Sequence, residues 1–226
     1  MHKKDIDTLI ISDIHLGNKL SRIKELQKVL SGYNCQRLIL NGDIFDGLNF
    51  KRLPSAHWGV LSYFRKLSKT KEVVWINGNH DGAIGILSNL LGVKVYKQYL
   101  WECNGKKYLA IHGHQFDRFL HKSIIISSMA VYLYNLIQKI DSKNKLLSNF
   151  VKKHSHSWLR MSEEVAKGAV RYARLRRANY IFCGHTHIAK YYNSGDIEYY
   201  NSGSWTEVPS SFIAIDKNKA EIVKVC

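Results

Sequence analysis

Proline is nearly absent, at 2 in 226 residues, and no internal repeat or low-complexity tract interrupts the chain. A Pro-rich linker and a collagen-like rod are thereby excluded. Cysteine is also scarce. Cys35, Cys103, Cys183 and Cys226 include no C-x-x-C spacing, so a disulfide framework is not expected and reduced thiols in a cytosolic protein are. Long hydrophobic runs are missing. The longest uncharged stretch, Ser123 to Gln138, has 16 residues and is not uniformly apolar, against the ~20 that a spanning helix needs. The start, Met-His-Lys-Lys-Asp-Ile-Asp, places acids ahead of the first apolar run, so no signal peptide is read there. Acidic residues are few: Asp+Glu is 18 against Lys+Arg 34, a net charge of +16. That balance favours anionic partners: nucleic acid, an acidic membrane face or phosphorylated substrates.

Hydrophobic residues at 45% and charged residues at 23% are ordinary globular usage, and the length suits one domain with a sizeable core. Short apolar runs recur, and each ends in a turn carrying acids, amides or histidines. Thr8–Ile11 leads into Asp13-Ile14-His15, and Arg37–Leu40 into Asn41-Gly42-Asp43. Val73–Ile76 leads into Gly78-Asn79-His80-Asp81, Tyr108–Ile111 into His112-Gly113-His114, and Tyr180–Cys183 into Gly184-His185-Thr186-His187. Such runs predict buried strands. Helical patterns over 19–31, 55–68 and 83–91 alternate with them and predict a layered α/β sheet. The C-terminal runs at Tyr191-Tyr192, Ile197–Tyr200, Phe212–Ile215 and Ala220–Val225 predict short antiparallel strands closing a second sheet.

The segment 116–178 breaks the alternation and reads as a helical insertion, a lid, within a single domain spanning 1–226. Its apolar spacing at Trp158, Met161, Val165, Ala169, Tyr172 and Leu175 predicts an amphipathic helix. Thirteen basic and four acidic residues give it +9 of the total charge.

The turns carry the chemistry. Each follows a strand, so their side chains gather at one sheet edge, where open α/β sheets bind ligands. Asp13-x-His15, His112-x-His114 and His185-x-His187 share a two-residue spacing, which in extended backbone directs both side chains the same way. Imidazole, carboxylate and Asn carbonyl suit borderline divalent ions. One Asp can bridge two ions, an arrangement used for displacement at phosphorus, and Asp43 is central in the series. Any one of these turns alone is better explained as surface loop chemistry; five in order are not.

The ordered set resembles the calcineurin-like metallophosphoesterase superfamily, and Asn201-Ser202-Gly203-Ser204 resembles its later Asn-x-Gly-Ser loop. The resemblance implies a four-layer α/β/β/α sandwich of two mixed sheets. It implies one metal on Asp13, His15, Asp43 and His187, and a second on Asp43, Asn79, His112 and His185. Mn²⁺ is the expected ion, with Zn²⁺ or Fe as alternatives. His80 matches the residue that contacts the substrate phosphate and helps the leaving group, with Asp81 orienting it through a hydrogen bond. The helical insertion, Gly42 to Asp46 (Gly-Asp-Ile-Phe-Asp) and His112 to Asp117 (His-Gly-x-Gln-Phe-Asp) are similar to the bacterial UDP-2,3-diacylglucosamine diphosphatase branch. His80 and His114 stand where that branch's best-known enzymes carry Arg and Asp. The implied substrate is a phosphorylated, lipid-linked nucleotide, met by Asn79, His80 and His114; the basic lid, whose two ends flank the metal turns, offers Arg171 and Arg174, with Arg176 and Arg177 as alternatives, to bind its anionic group. The implied location is cytoplasmic, peripheral on the inner membrane face, with no obligate protein partner. A nuclease or nucleotide phosphodiesterase is the alternative, and a non-catalytic scaffold ranks last.

Overall fold

The computed structural model describes residues 3–47, 50, 53–82, 88, 92–117 and 156–226. Along the chain the described elements are β1 (Lys4–Ile11), α1 (Ile23–Gly32), β2 (Tyr33–Asn41), α2 (Ser55–Leu67), β3 (Glu72–Ile76), β4 (Val95–Tyr96), β5 (Tyr99–Cys103) and β6 (Lys106–Ala110). A 3₁₀ turn at His114–Phe116 follows, then α3 (His156–Arg176), β7 (Tyr180–Cys183), β8 (Lys190–Ser194), β9 (Ile197–Asn201), β10 (Ser210–Asp216) and β11 (Lys219–Val225). They form a six-stranded sheet, ordered β11-β10-β1-β2-β3-β4, and a five-stranded sheet, ordered β5-β6-β7-β9-β8.

Both sheets are mixed. β1, β2 and β3 run parallel, as do β6, β7 and β9, while β10, β5 and β8 pair antiparallel with β1, β6 and β9. The short apolar runs explain the layering. A strand covered on both faces must be apolar at consecutive positions, and successive side chains point to opposite sides. Thus Leu9, Ile11, Leu38, Leu40 and Trp75 pack under α1 and α2, with Leu26, Leu30, Val60, Leu61 and Phe64. Their neighbours Ile10, Ile39, Val74 and Ile76 face the second sheet, meeting Trp101, Tyr108, Ala110 and Phe182. On the far side Leu109, Ile111, Ile181 and Cys183 pack against α3. These three apolar interfaces define the expected four layers. Truncating a residue such as Ile39, which is fully buried, should cost ~2–5 kcal/mol.

The structure departs from the sequence reading in several places. Helix 83–91 falls outside the described residues apart from Ser88. α1 begins at Ile23, after a loop in which Asn18 and Ser21 bond to neighbouring polar groups. β4 and β5 were not expected, and the C-terminal hairpin β10–β11 joins the first sheet through β1. The buried stripe of α3 is Ser162, Val165, Ala166, Ala169, Val170 and Ala173, one position round from the expected face, and Leu175 is exposed. Alanines on that stripe let the helix lie close to the sheet. α3 is therefore the outer layer of the second sheet: its buried stripe from Ser162 to Ala173 covers the core, while Trp158 in its first turns reaches the Thr186 carbonyl at the sheet edge. Residues 118–155, with the uncharged stretch Ser123 to Gln138, lie outside the described residues. Among the described residues, no helix is long and apolar enough to cross a membrane.

Candidate metal centre

The parallel triplets β1–β2–β3 and β6–β7–β9 end at the same edge of the sandwich. Cross-sheet hydrogen bonds fix this. Asn41 Nδ2 donates to the Phe182 carbonyl at 3.2 Å, and His112 Nδ1 to the Asn41 carbonyl at 2.9 Å. Two groups of ligand-type side chains gather there. Asp13, His15 and His187 form one, and Asp43, His112 and His185 the other; within each group the ligand atoms lie within 4.8 Å of one another.

Asp43 stands between the groups. Its Oδ2 lies 3.4 Å from His112 Nε2 and 4.0 Å from His15 Nε2, one histidine from each. Its Oδ1 accepts the His80 backbone N–H at 2.9 Å. In the other group His187 Nε2 lies 3.2 Å from Asp13 Oδ1 and 3.2 Å from His15 Nε2. Asp13 Oδ1 and His112 Nε2 are buried and make no hydrogen bond. Buried polar atoms ordinarily find partners, so these two face a place built for a cation. Nitrogen and carboxylate donors, without thiolate, suit divalent transition ions.

The electrostatics agree. Burial would raise the Asp43 carboxyl, but the adjacent His112 and His15 hold it well below the ordinary range. Asp13 is lowered in the same way, against burial, by His187 and His112. Burial would lower His112; Asp43 and Asp13 overcome it and push the imidazole up to about 10. His15 is raised against burial by Asp46, Asp43 and Asp13. In the protein without metal a proton serves as the counter-ion to these carboxylates, and a divalent ion would displace it.

The backbone here is not the extended chain that the two-residue spacing suggested. Asp13, His15, Asp43, His185 and His187 all have φ between 51° and 67°, left-handed values. For residues with a Cβ this costs ~1–2 kcal/mol each. The sharp turns are held by hydrogen bonds from Asp13 N to Gly42 O and from His15 N to Asp43 O, both 3.0 Å. As a result His185 and His187 go to different groups instead of sharing one. Two glycines permit the crowding: a methyl on Gly78 would overlap the Asp43 carboxylate, and one on Gly184 would overlap Asp13 and Ser12.

Around this core, His80 is exposed, with its ring 5.1 Å from that of His15. Asn79 is exposed beside it. His114 opens the 3₁₀ turn, with its ring 5.4 Å from that of His112. Asp81 does not orient His80. Its Oδ1 accepts the N–H groups of Ile44 and Phe45 at 2.8 and 3.0 Å, and its Oδ2 those of Gly78 and the Trp75 indole at 2.9 and 3.3 Å. It ties the Asp43 loop to the loop after β3. Burial and the neighbouring Asp43 raise its carboxyl.

The arginines separate. Trp158, in the first turns of α3, donates its indole N–H to the Thr186 carbonyl at 3.0 Å and so lies at the site. Arg174 is 16 residues further along α3, ~24 Å at 1.5 Å per residue. It bonds Ser194 at 3.1–3.2 Å in the β8–β9 turn, at the opposite sheet edge. A substrate role for Arg174 at the metal edge does not fit that position. Arg171 lines a groove of about 490 Å³ with Gln115, Phe116, Lys167, Tyr172 and Leu175.

Sequence reasoning passed over Ser12, whose hydroxyl bonds Asp13 and Ser202. It named Asp46 and Asp117 only inside longer motifs. Asp46 Oδ1 is 3.6 Å from His15 Nδ1, and Asp117 Oδ2 is 2.9 Å from His185 Nε2. Both close a Phe-Asp pair downstream of a ligand turn, the one signal that could have marked them.

An α/β/β/α sandwich with two cation-seeking clusters at one edge defines a class of metal-site hydrolase folds. The chain belongs to the calcineurin-like phosphoesterase family, whose model matches residues 6–189. Its fold is similar to that of YfcE, a phosphoesterase from E. coli, at 15% identity over 97% of this chain and 99% of that one, with a TM-score of 0.54. It is similar also to an archaeal phosphodiesterase at 13% identity, 96% and 99% coverage and a TM-score of 0.52. Vacuolar Protein Sorting 29 from Cryptosporidium parvum shares the fold at 14% identity, 97% and 96% coverage and a TM-score of 0.52. No curated protein matches the sequence.

Proposed function

We propose that the protein is a metal-dependent phosphoesterase that cleaves a phosphoester or pyrophosphate bond. The observation that carries this reading is the placing of Asp43 Oδ2 within reach of a histidine from each cluster, beside the buried, unbonded Asp13 Oδ1 and His112 Nε2. Asp13, His15, Asp43 and His187 would hold one ion, and Asp43, Asn79, His112 and His185 the other. Two ions held this way would supply charge neutralisation and water activation for displacement at phosphorus, with Mn²⁺ the expected pair and Zn²⁺ or Fe the alternatives.

The chain's own residues do the rest. His80, exposed at the mouth of the site, contacts the phosphate or hands a proton to the leaving oxygen. Its backbone N–H, bonded to Asp43 Oδ1, fixes where the ring starts. His114 and Asn79 flank the same opening. The substrate we favour is a lipid-linked nucleotide such as UDP-2,3-diacylglucosamine. The groove beside the 3₁₀ turn supports it, because Lys167 and Arg171, against a single Glu164, leave it net positive while Phe116, Tyr172 and Leu175 offer apolar wall. A nuclease would use the charge without the wall.

Metal analysis followed by a substrate panel tests both levels. Protein loaded with Mn²⁺ should hydrolyse UDP-diacylglucosamine faster than bis(p-nitrophenyl) phosphate or single-stranded DNA. Preference for DNA would replace the lipid reading with a nuclease. Absence of bound metal and of any hydrolysis would leave a non-catalytic scaffold.

A further inference from the structure

We propose that Asp117 is a positioning residue: it fixes the tautomer and orientation of His185 so that Nδ1 faces the second cluster. The proposal rests on the metal reading above and deepens it. Asp117 is 3% exposed, and its Oδ2 lies 2.9 Å from His185 Nε2. A carboxylate accepts, so Nε2 carries the hydrogen and donates it. Nδ1 then holds the lone pair and is the nitrogen free to ligate beside Asp43 and His112.

Asp117 is itself held in place. It follows the 3₁₀ turn, and its N–H donates to the His114 carbonyl at 3.2 Å. The preceding Phe116 lies against Gly168 of α3, where a Cβ would meet its side chain at 2.9 Å, and its ring is 5.8 Å from that of Tyr172. The helix that covers the second sheet thus braces the carboxylate that braces the ligand. His112 and His15 have weaker backing. His112 donates to a neutral carbonyl, Asn41 O, at 2.9 Å. His15 has Asp46 at 3.6 Å, an ion-pair separation rather than a hydrogen bond. A charged acceptor strengthens the basicity of the opposite ring nitrogen, so the contribution of Asp117 belongs to the Asp43–His112–His185 cluster.

The test is Mn²⁺ titration by calorimetry of the wild type and of Asp117→Asn. The wild type should take up two ions, and the variant should bind one of them 10–100-fold more weakly while the other is unchanged. Unaltered affinity at both sites overturns the proposal, as does a fall in melting temperature of the metal-free variant with no change in affinity, which would make Asp117 structural only. If the wild type binds no Mn²⁺, the metal reading fails and the proposal with it, and that failure is visible without the variant. Should Asp117→Asn not fold, long-range ¹H–¹⁵N correlation on Zn²⁺-loaded wild type decides. A hydrogen on Nε2 of His185 supports the role, and a hydrogen on Nδ1 overturns it.

Discussion

The two edges of the sandwich both bend the backbone into left-handed turns, for different reasons. At the far edge, positive φ falls on Asn104, Gly105, Arg177, Gly195, Lys217 and Asn218. Most are residue types that hairpin turns select, because Gly and Asn adopt that conformation cheaply. At the metal edge it falls on Asp13, His15, Asp43, His185 and His187, where no turn needs a histidine. The far edge closes on exposed contacts, neutral ones such as Asn104 Nδ2 to Asn218 Oδ1 at 3.2 Å and ion pairs such as Arg174 with Asp196 at 3.7 Å. The metal edge closes on buried carboxylates and imidazoles. Left-handed torsions spread over exposed turns are connectivity; left-handed torsions gathered on buried carboxylates and neighbouring imidazoles mark a site.

The sharpest way to break this contrast is at Asp43. Asp43→Asn should abolish measurable turnover and lower metal content at both clusters, as read by elemental analysis. A variant that keeps two ions and full rate would remove Asp43 from the centre. Next in size is His80→Ala, which should lower kcat by ~10²–10⁴ with metal content retained; an unchanged rate removes its proposed role. The arginines divide by what they touch, Arg171 lining the groove beside the 3₁₀ turn and Arg174 bonding Ser194. Arg171→Glu should raise KM for a lipid-linked nucleotide roughly tenfold or more, since a charge-assisted hydrogen bond contributes ~1.5–3 kcal/mol. Arg174→Glu, anchored at Ser194, should leave KM alone. Equal effects would return Arg174 to the substrate path.

Smaller shifts come from pH and from the far edge. His112 titrates near 10 in the folded, metal-free protein against 6.5 ordinarily. A raised folded value gives stability that is complete below 6.5 and is lost as pH climbs towards about 10. Asp13 and Asp43, lowered from 3.8, give stability that is lost on acidification below that value. Melting of EDTA-treated protein should therefore drop between neutral and strongly alkaline pH, and added Mn²⁺ should remove the alkaline drop. Least of all, Lys217→Asn should raise the melting temperature by a few degrees at most, relieving up to ~1 kcal/mol of left-handed cost, with activity unchanged.

Much of the fold is legible in the sequence because burial on both faces leaves a direct trace. Leu38-Ile39-Leu40 and Tyr180-Ile181-Phe182 are unbroken apolar runs for that reason. β5 left a fainter trace, since Glu102 interrupts Tyr99-Leu100-Trp101 and its strand lies at a sheet edge. The face of α3 was misplaced because alanines and valines do most of the packing, with Tyr172 only partly buried and Leu175 exposed. The ligand residues could be read from their turns; the two-residue spacing alone would keep each pair together, and only the family resemblance implied the division into clusters that the structure shows. That division depends on left-handed torsions at His185 and His187, which no spacing encodes. Asp81 illustrates the same limit. Its type and place beside His80 suggest a partner for that ring, whereas four donors from three separate stretches of backbone and side chain surround it.

Each cluster draws on both sheets. Asp13 and His15 come from the first and His187 from the second; Asp43 comes from the first and His112 and His185 from the second. An ion in either cluster is thus a clasp between sheets that otherwise meet through apolar contact and a few hydrogen bonds, such as Asn41 to the Phe182 carbonyl. The His15–His187 side of that clasp joins positions 172 residues apart, and clips that close long loops remove the most freedom from the unfolded chain. Chelation would then unfasten the sandwich along one edge while the hairpins opposite stay shut. Hydrogen exchange would follow that opening as faster exchange at Asp13, His15 and Gly184, with the amides near Asn218 left slow.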